Sequence, residues 1–410
     1  MNPLLRSLRD QTLAANEKAV EFANNAFDRI FVPGTMVRSE QTESEVIHTY
    51  GITSVRYYPP LDGTEIRLDN GDRLPVQRKR YTMPLVMVPP LAARPAIFDL
   101  TPTRSLVRYF NAAGFSVYLI DWGEPSREQA ELGLGDYVND LLPEALKQIR
   151  GHAGEMDLSL LAWCLGGLFS LMYAGASHDP HLKNIVTIAS PIDTRQGKIM
   201  GQLSAALMQP AEFVRRFTGF RIHRLTPSRT TVPGWANALA FKLTNPLGSI
   251  TTYWDLILRM WDREFVESHT TTSNVLNNML AYPGRLIQDM LVKFAIDNDL
   301  SSGQIELDGK LSEFGRIQSS LLAFAGQTDT LVVPEAARRS LELIASDDKQ
   351  FIIAPGGHMG VLAGATAQQS VWAPAAEWLS RRSGAFEVPA RAERERLKRQ
   401  RRRLADDPSL

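Results

Sequence analysis

The 410-residue chain sets 45 Lys and Arg against 45 Asp and Glu, and 44% of it is hydrophobic. This globular composition excludes wholesale disorder, collagen and coiled-coil architectures, and its zero formal charge argues against a dedicated nucleic-acid binder, which needs a concentrated excess of Lys and Arg. A single cysteine, Cys164, permits no intrachain disulfide and no cysteine-based zinc cluster, and it fits a reducing compartment such as the cytoplasm.

The opening residues, MNPLLRSLRDQTLAANEKAVEF, alternate charged and apolar residues and never build the apolar core of a signal peptide. Residues 11 to 31 place Val20, Ala23, Phe27, Ile30 and Phe31 at three- and four-residue steps, which predicts an amphipathic helix packing onto its own domain. A β-rich stretch follows, where Glu65 to Leu68 runs into the turn Asp69-Asn70-Gly71-Asp72 and signals a hairpin. Residues 1–80 are thus expected to form a short N-terminal helix and hairpin module.

From Pro84 the pattern changes to short apolar runs alternating with helical segments. Strands are expected at Leu85 to Val88, Phe115 to Asp121, Asp157 to Ala162 and Ile185 to Ala189, and helices at Thr103 to Ala113, Gly135 to Ile149 and Gly166 to Tyr173. The uncharged run Leu160 to Ala176 falls short of the ~20 residues that cross a bilayer, and Gly166 and Gly167 divide it into a buried strand and a buried helix. Strand and helix repeated at this pitch predict a mainly parallel sheet with helices on both faces. Strands resume at Leu321 to Ala325 and Gln350 to Ile353, so residues 81–194 and 301–385 read as two parts of one α/β core. The interval 195–300, rich in aromatics such as Trp235, Tyr253, Trp254 and Trp261, reads as a helical lid inserted above the carboxyl edge of the sheet. Residues 386–410 form a basic tail, whose run 391 to 403 holds eight basic and two acidic residues and reads as a solvated extension.

Cys164 lies between a predicted strand and a predicted helix, in Ala162-Trp163-Cys164-Leu165-Gly166-Gly167. A nucleophile elbow needs this setting, because a sharp turn lifts the reactive side chain above the sheet and small residues on either side let strand and helix approach. The positive end of a helix dipole also favours a thiolate there. The residue type alone equally fits a small buried hydrophobe. The late strands supply the rest: Asp329 follows the first in Gly326-Gln327-Thr328-Asp329, and His358 follows the second in Pro355-Gly356-Gly357-His358. Nucleophile, acid and base in this chain order match the α/β-hydrolase arrangement, with His358 as base and Asp329 as its orienting acid. The oxyanion donors are expected to be the backbone N–H of Leu165 and that of Leu91 or Ala92, with Leu91 preferred, because Pro89 and Pro90 have none. No metal site is expected, and His178 and His181 read as surface-turn residues.

The sequence resembles the poly(3-hydroxyalkanoate) synthases, particularly the short ones that work with a second subunit. The likeness lies in PLVMVPPLAARPAIFDLTPTRSLVRYF (84 to 110), FSVYLIDWGEP (115 to 125), AWCLGGLFSLMYA (162 to 174), AGQTDTLVVP (325 to 334) and PGGHMGVLAG (355 to 364). Ala162 stands where the family's box has glycine, and the family's catalytic Cys, Asp and His fall on Cys164, Asp329 and His358. The resemblance implies transfer of 3-hydroxyacyl groups from CoA through a Cys-bound thioester to a growing polyester. It also implies no cofactor beyond the acyl-CoA substrate, location at a cytoplasmic granule surface, and a second synthase subunit or a homodimer as partner. Two other readings stay open: a cysteine-nucleophile esterase, thioesterase or lactone hydrolase, and a non-catalytic granule- or partner-binding protein.

Overall fold

The computed structural model describes residues 3–197, 201–202, 204–206, 210, 222–244 and 253–387. The central sheet comprises β1 (Glu45–Tyr50), β2 (Thr53–Tyr58), β3 (Leu85–Val88), β4 (Val117–Asp121), β5 (Leu158–Trp163), β6 (Leu182–Ile188), β7 (Ser320–Gly326) and β8 (Lys349–Ala354). Their spatial order is β1-β2-β4-β3-β5-β6-β7-β8. The pairs β1/β2 and β2/β4 are antiparallel, and each later neighbour is parallel. The sheet therefore begins at Glu45, inside the segment that the sequence assigns to a separate N-terminal module. Gly51, at φ 58°, makes the tight turn that folds β1 back on β2, but the pairing of β2 with β4 is non-local and leaves no mark on the local pattern. The expected hairpin pairs Glu65–Arg67 with Arg73–Pro75.

All residues of β3 and β5 are buried, as expected of strands covered on both faces. Successive side chains of β5 enter opposite cores. Leu160 and Ala162 pack with Leu146 and Ile149 of α3 (Leu142–Ala153) and with Leu168 and Phe169 of α4 (Leu165–Ser177). Leu161 and Trp163 pack with Val107 and Phe110 of α2 (Leu106–Ala112) and with Ala337 of α7 (Pro334–Leu343) and Leu379 of α8 (Ala373–Ser380). The helix expected from Thr103 starts later because Asp99–Thr101 first pairs with Arg104–Ser105, and the Ser105 hydroxyl then caps α2 by accepting from the Arg108 N–H. The helix expected from Gly135 opens with a π-helical turn, Asp136–Leu141, and ends at Gly154 in the left-handed region.

The first helix, α1 (Pro3–Phe31), docks differently from its apolar pattern. Val20, Phe27, Ile30 and Phe31 are 50%, 57%, 69% and 66% exposed, while Ala26 packs on Met36, Leu256, Met260 and Val266 and polar residues make the hydrogen bonds. Asn25 Nδ2 donates to the Met260 carbonyl at 2.8 Å, Asp28 pairs with Arg263 at 2.5 Å, and Arg29 donates to Thr270 Oγ1. Paired charge and hydrogen bonds on α6 (Arg263–Asn277) thus orient α1, and its apolar face turns outward. Within 195–300 the described residues include the helices α5 (Gly234–Leu243) and α6, while the basic run 391 to 403 lies outside the described residues. Among the described residues no helix is long and apolar enough to cross a membrane.

Candidate active site

The chain leaves β5 at Trp163 and enters α4 at Leu165, so Cys164 alone makes the turn, at φ 52° and ψ −120°. A residue with a Cβ rarely occupies positive φ, and such strain persists only where the surroundings enforce it. Here the enforcement comes from close approach on two sides. A Cβ on Gly166 would lie 2.1 Å from the Val88 carbonyl oxygen at the end of β3, and one on Gly167 would lie 2.0 Å from Ser190 Oγ beyond β6. The Cys164 N–H donates to the Ile188 carbonyl at 2.8 Å, and its carbonyl accepts from the Gly167 N–H at 3.0 Å. The elbow thus has both neighbouring strands as its walls, and Cys164 remains partly exposed.

Ala162, where the resembling family has glycine, is a fully buried strand residue paired with Val88 and Thr187. Its methyl faces the core shared with Leu165 and Leu168, so the strand accommodates alanine without disturbing the turn.

Asp329 and His358 meet above the ends of β7 and β8. Asp329 Oδ2 accepts from His358 Nδ1 at 2.8 Å, and Asp329 Oδ1 accepts from the backbone N–H groups of Leu331 and Val332, both at 2.9 Å. The two loops are tied together by the Gln327 N–H to the Ala354 carbonyl and the Thr328 N–H to the Gly356 carbonyl. Gly356, at φ 112°, supplies the bend that brings His358 back over the sheet. With Nδ1 committed to Asp329, Nε2 is the ring nitrogen left for Cys164, to which His358 is electrostatically coupled. Burial by itself would push the imidazole down. The charge of Cys164, the hydrogen bonds with Asp329 and Cys164 and the charge of Asp329 outweigh it and hold His358 up at about 10. The three candidate residues are therefore brought together, the imidazole and carboxylate by a hydrogen bond and the sulfur and imidazole by their electrostatic coupling. Such an arrangement can take a proton from the thiol and return it to a leaving group.

Of the two expected oxyanion donors, Leu165 follows Cys164 directly, and Leu91 lies in the loop after β3, whose Pro89 carbonyl oxygen would be 2.9 Å from a Cβ on Gly166. Among the described residues neither the Leu165 nor the Leu91 N–H donates a hydrogen bond within the protein, although both residues are buried. Trp122 Nε1 donates to the Pro89 carbonyl at 2.8 Å and fixes the loop that carries Leu91.

Sequence reasoning missed the residues that roof the site. The Trp163 ring lies 5.3 Å from that of His358 between centroids, and Phe241 of α5 lies 6.1 Å from it. Thr330 Oγ1 donates to the Thr244 carbonyl at 3.0 Å, and the Leu280 N–H donates to the Ala92 carbonyl at 2.8 Å, so the inserted segment rests on both the acid loop and the oxyanion loop. The run of aromatics between 195 and 300 was the available signal, but nothing in it singled out Phe241. His178 and His181 lie away from this group: His178 faces Arg316, and His181 pairs with Asp157 at 2.7 Å.

Sheet order, elbow and late-strand loops together define an α/β hydrolase, and the alpha/beta hydrolase fold family matches residues 84–365; the chain belongs to that family. Among curated relatives, it is 31% identical over 327 residues to the poly(3-hydroxyalkanoate) polymerase subunit PhaC of Haloarcula marismortui, covering 79% of this chain and 66% of that one. The subunit PhaC of Haloferax mediterranei is 29% identical over 313 residues, 76% of this chain and 61% of its own. That of Allochromatium vinosum is 28% identical over 302 residues, 73% and 81% of the two chains. The chain thus spans less than two thirds of the length of the first two relatives.

Proposed function

We propose that this chain is an acyltransferase of the poly(3-hydroxyalkanoate) polymerase type, acting through a Cys164, His358 and Asp329 triad. The observation that carries the reading is a cysteine, rather than a serine, at a strained elbow and electrostatically coupled to a buried, hydrogen-bonded His–Asp pair. Relatives named as polymerase subunits support the choice of substrate.

His358 Nε2 takes the Cys164 proton, and the sulfur attacks the thioester carbonyl of a 3-hydroxyacyl-CoA. The N–H groups of Leu165 and Leu91 receive the oxyanion. Collapse breaks the bond to the CoA sulfur, which leaves with the imidazolium proton. One thioester replaces another, so the acyl group stays activated; a serine would hold it as a less reactive ester. His358 then removes the proton from an incoming 3-hydroxyl, the new ester bond forms, and the Cys164 sulfur is released. Water at the same position would give a free acid, so polymer growth depends on keeping water out. The roof of Trp163, Phe241 and the 280–282 segment supports that role for the inserted lid. The outward apolar faces of α1 and of α5, with Phe31 66% and Trp235 70% exposed, support a polyester granule surface in the cytoplasm as the place of action. A second synthase subunit or a second copy completes the proposed set of partners.

The test is incubation with 3-hydroxybutyryl-CoA and with a longer 3-hydroxyacyl-CoA, each with and without a partner subunit from a relative. The expected result is CoA release with insoluble polyester. Stoichiometric conversion to free 3-hydroxy acid under every condition would move the chain to the cysteine-hydrolase reading, and absence of any turnover would favour a non-catalytic binder.

A further inference from the structure

Trp163 closes β5 and directly precedes Cys164, so the end of the strand and the start of the elbow meet at this residue. It pairs with Ile188 of β6 and is only 2% exposed. Its core includes Val332, just beyond Asp329, and Val361, just beyond His358. The centroid of its ring lies 5.3 Å from that of His358, with the two planes 35° apart, nearer face to face than edge to face. Phe241, the other ring beside the base, is 6.1 Å away and tilted by 57°.

Tryptophan at this place carries a cost. Its indole N–H is buried and, among the described residues, meets no acceptor. A buried donor without a partner destabilises the fold, and phenylalanine would fill most of the same space without that donor. What indole offers beyond a phenyl ring is a more negative face, which attracts a cation within about 6 Å of its centroid. The imidazole of His358 meets that distance from Trp163 and only borders on it from Phe241. The attraction acts on the protonated ring alone, and it strengthens where water is excluded. In the proposed cycle His358 is protonated twice, once by the thiol and once by the incoming hydroxyl.

We infer that Trp163 is a positioning residue for the base: its indole face seats the His358 ring and favours the imidazolium over the neutral form. The contact complements Asp329, whose Oδ2 accepts from Nδ1 at 2.8 Å and fixes the edge of the same ring. The charged and titratable groups that face His358 are Cys164 and Asp329, and Trp163 adds an attraction without a charge of its own. Because Trp163 and Cys164 are consecutive, the strand end that lifts the nucleophile also seats the base it works with.

The inference rests on the triad proposed above, and its test needs no substrate. The full chain is labelled with 13C-histidine and titrated by NMR; the His358 signal, among those of the seven histidines, is the one lost in His358→Gln. Trp163→Phe and Trp163→Leu are compared with chain carrying singly and multiply fluorinated tryptophan at position 163 alone, which keeps the size and the N–H and weakens the ring face. The expected result is that His358 loses its proton at lower pH in the order Trp, Phe, Leu, by about one pH unit in total, and at progressively lower pH as fluorine is added. A titration unmoved by fluorine overturns the inference, whether or not the two substitutions fold. Cys164→Ala separates this role from the triad itself. A His358 that responds to Cys164 but not to Trp163 leaves the triad standing and removes the role of Trp163, whereas the reverse keeps that role and removes the triad.

Discussion

Replacing Cys164 by alanine is expected to lower CoA release from a 3-hydroxyacyl-CoA by about 10³-fold or more while leaving the chain folded. The substitution removes the sulfur from a network in which His358 is already held by Asp329, so the imidazole keeps its place but has no nucleophile to activate. Alanine carries the same Cβ as cysteine, so the strained turn at φ 52° is neither relieved nor worsened, and stability should change little. His358→Gln is expected to cost a similar factor, and the double variant little more than either single one, because residues that act as one unit give strongly non-additive losses. Rates from the three variants, read with their thermal unfolding midpoints, separate chemistry from folding. Additive losses would show that the two side chains act independently.

The second large effect is structural. Gly166→Ala is expected to destabilise the chain by roughly 3 kcal/mol or more, or to prevent folding, as overpacking against backbone does at the upper end of single-residue effects. The added methyl would meet the Val88 carbonyl oxygen at 2.1 Å and the Pro89 carbonyl oxygen at 2.9 Å, and neither can rotate away. Val88 is fixed by pairing of β3 with β5, and Pro89 by the bond from Trp122 Nε1. Relief would need α4 to lift off the sheet and carry the elbow with it. Gly151→Ala is the matched control, since that helical glycine has open space around its Cβ position and the change should raise helix stability by about 1 kcal/mol. Comparison of denaturant midpoints decides between them, and equal midpoints for the two variants would refute the close packing of the elbow.

The contrast between those glycines also shows what the sequence makes readable. Cys164, Asp329 and His358 each follow a short apolar strand and precede a turn, so each place is set by local order, and the parallel sheet then brings strand ends together. Gly166 and Gly167 are legible for the same reason. The start of the sheet is not, because β2 pairs with β4 across a long loop in sequence and only the folded topology joins them. The apolar stripe of α1 misleads: the periodicity correctly gives a helix, but the Asp28 salt bridge and the Arg29 hydrogen bond with α6, rather than burial of the stripe, fix its orientation. Phe241 is the most instructive omission: it comes to lie against His358 only when the inserted segment docks over the acid and oxyanion loops, and its place in α5 carries no local sign of that contact.

The site also orders the competing outcomes of one acyl-enzyme. Under the proposed mechanism, polymerase and hydrolase share each step up to the thioester and part only at the second nucleophile, so the inserted segment rather than the triad would decide between them. Substitutions at Phe241, which faces His358 without hydrogen-bonding to it, bear on that division more than on the first step.

The most direct measurement is peptide mass spectrometry of the chain quenched in acid within the first turnover with 3-hydroxybutyryl-CoA. The account predicts a 3-hydroxybutyryl group on the peptide containing Cys164, labile to hydroxylamine and missing in Cys164→Ala. An acyl group on another residue, or an adduct that persists when Cys164 is replaced, would contradict it.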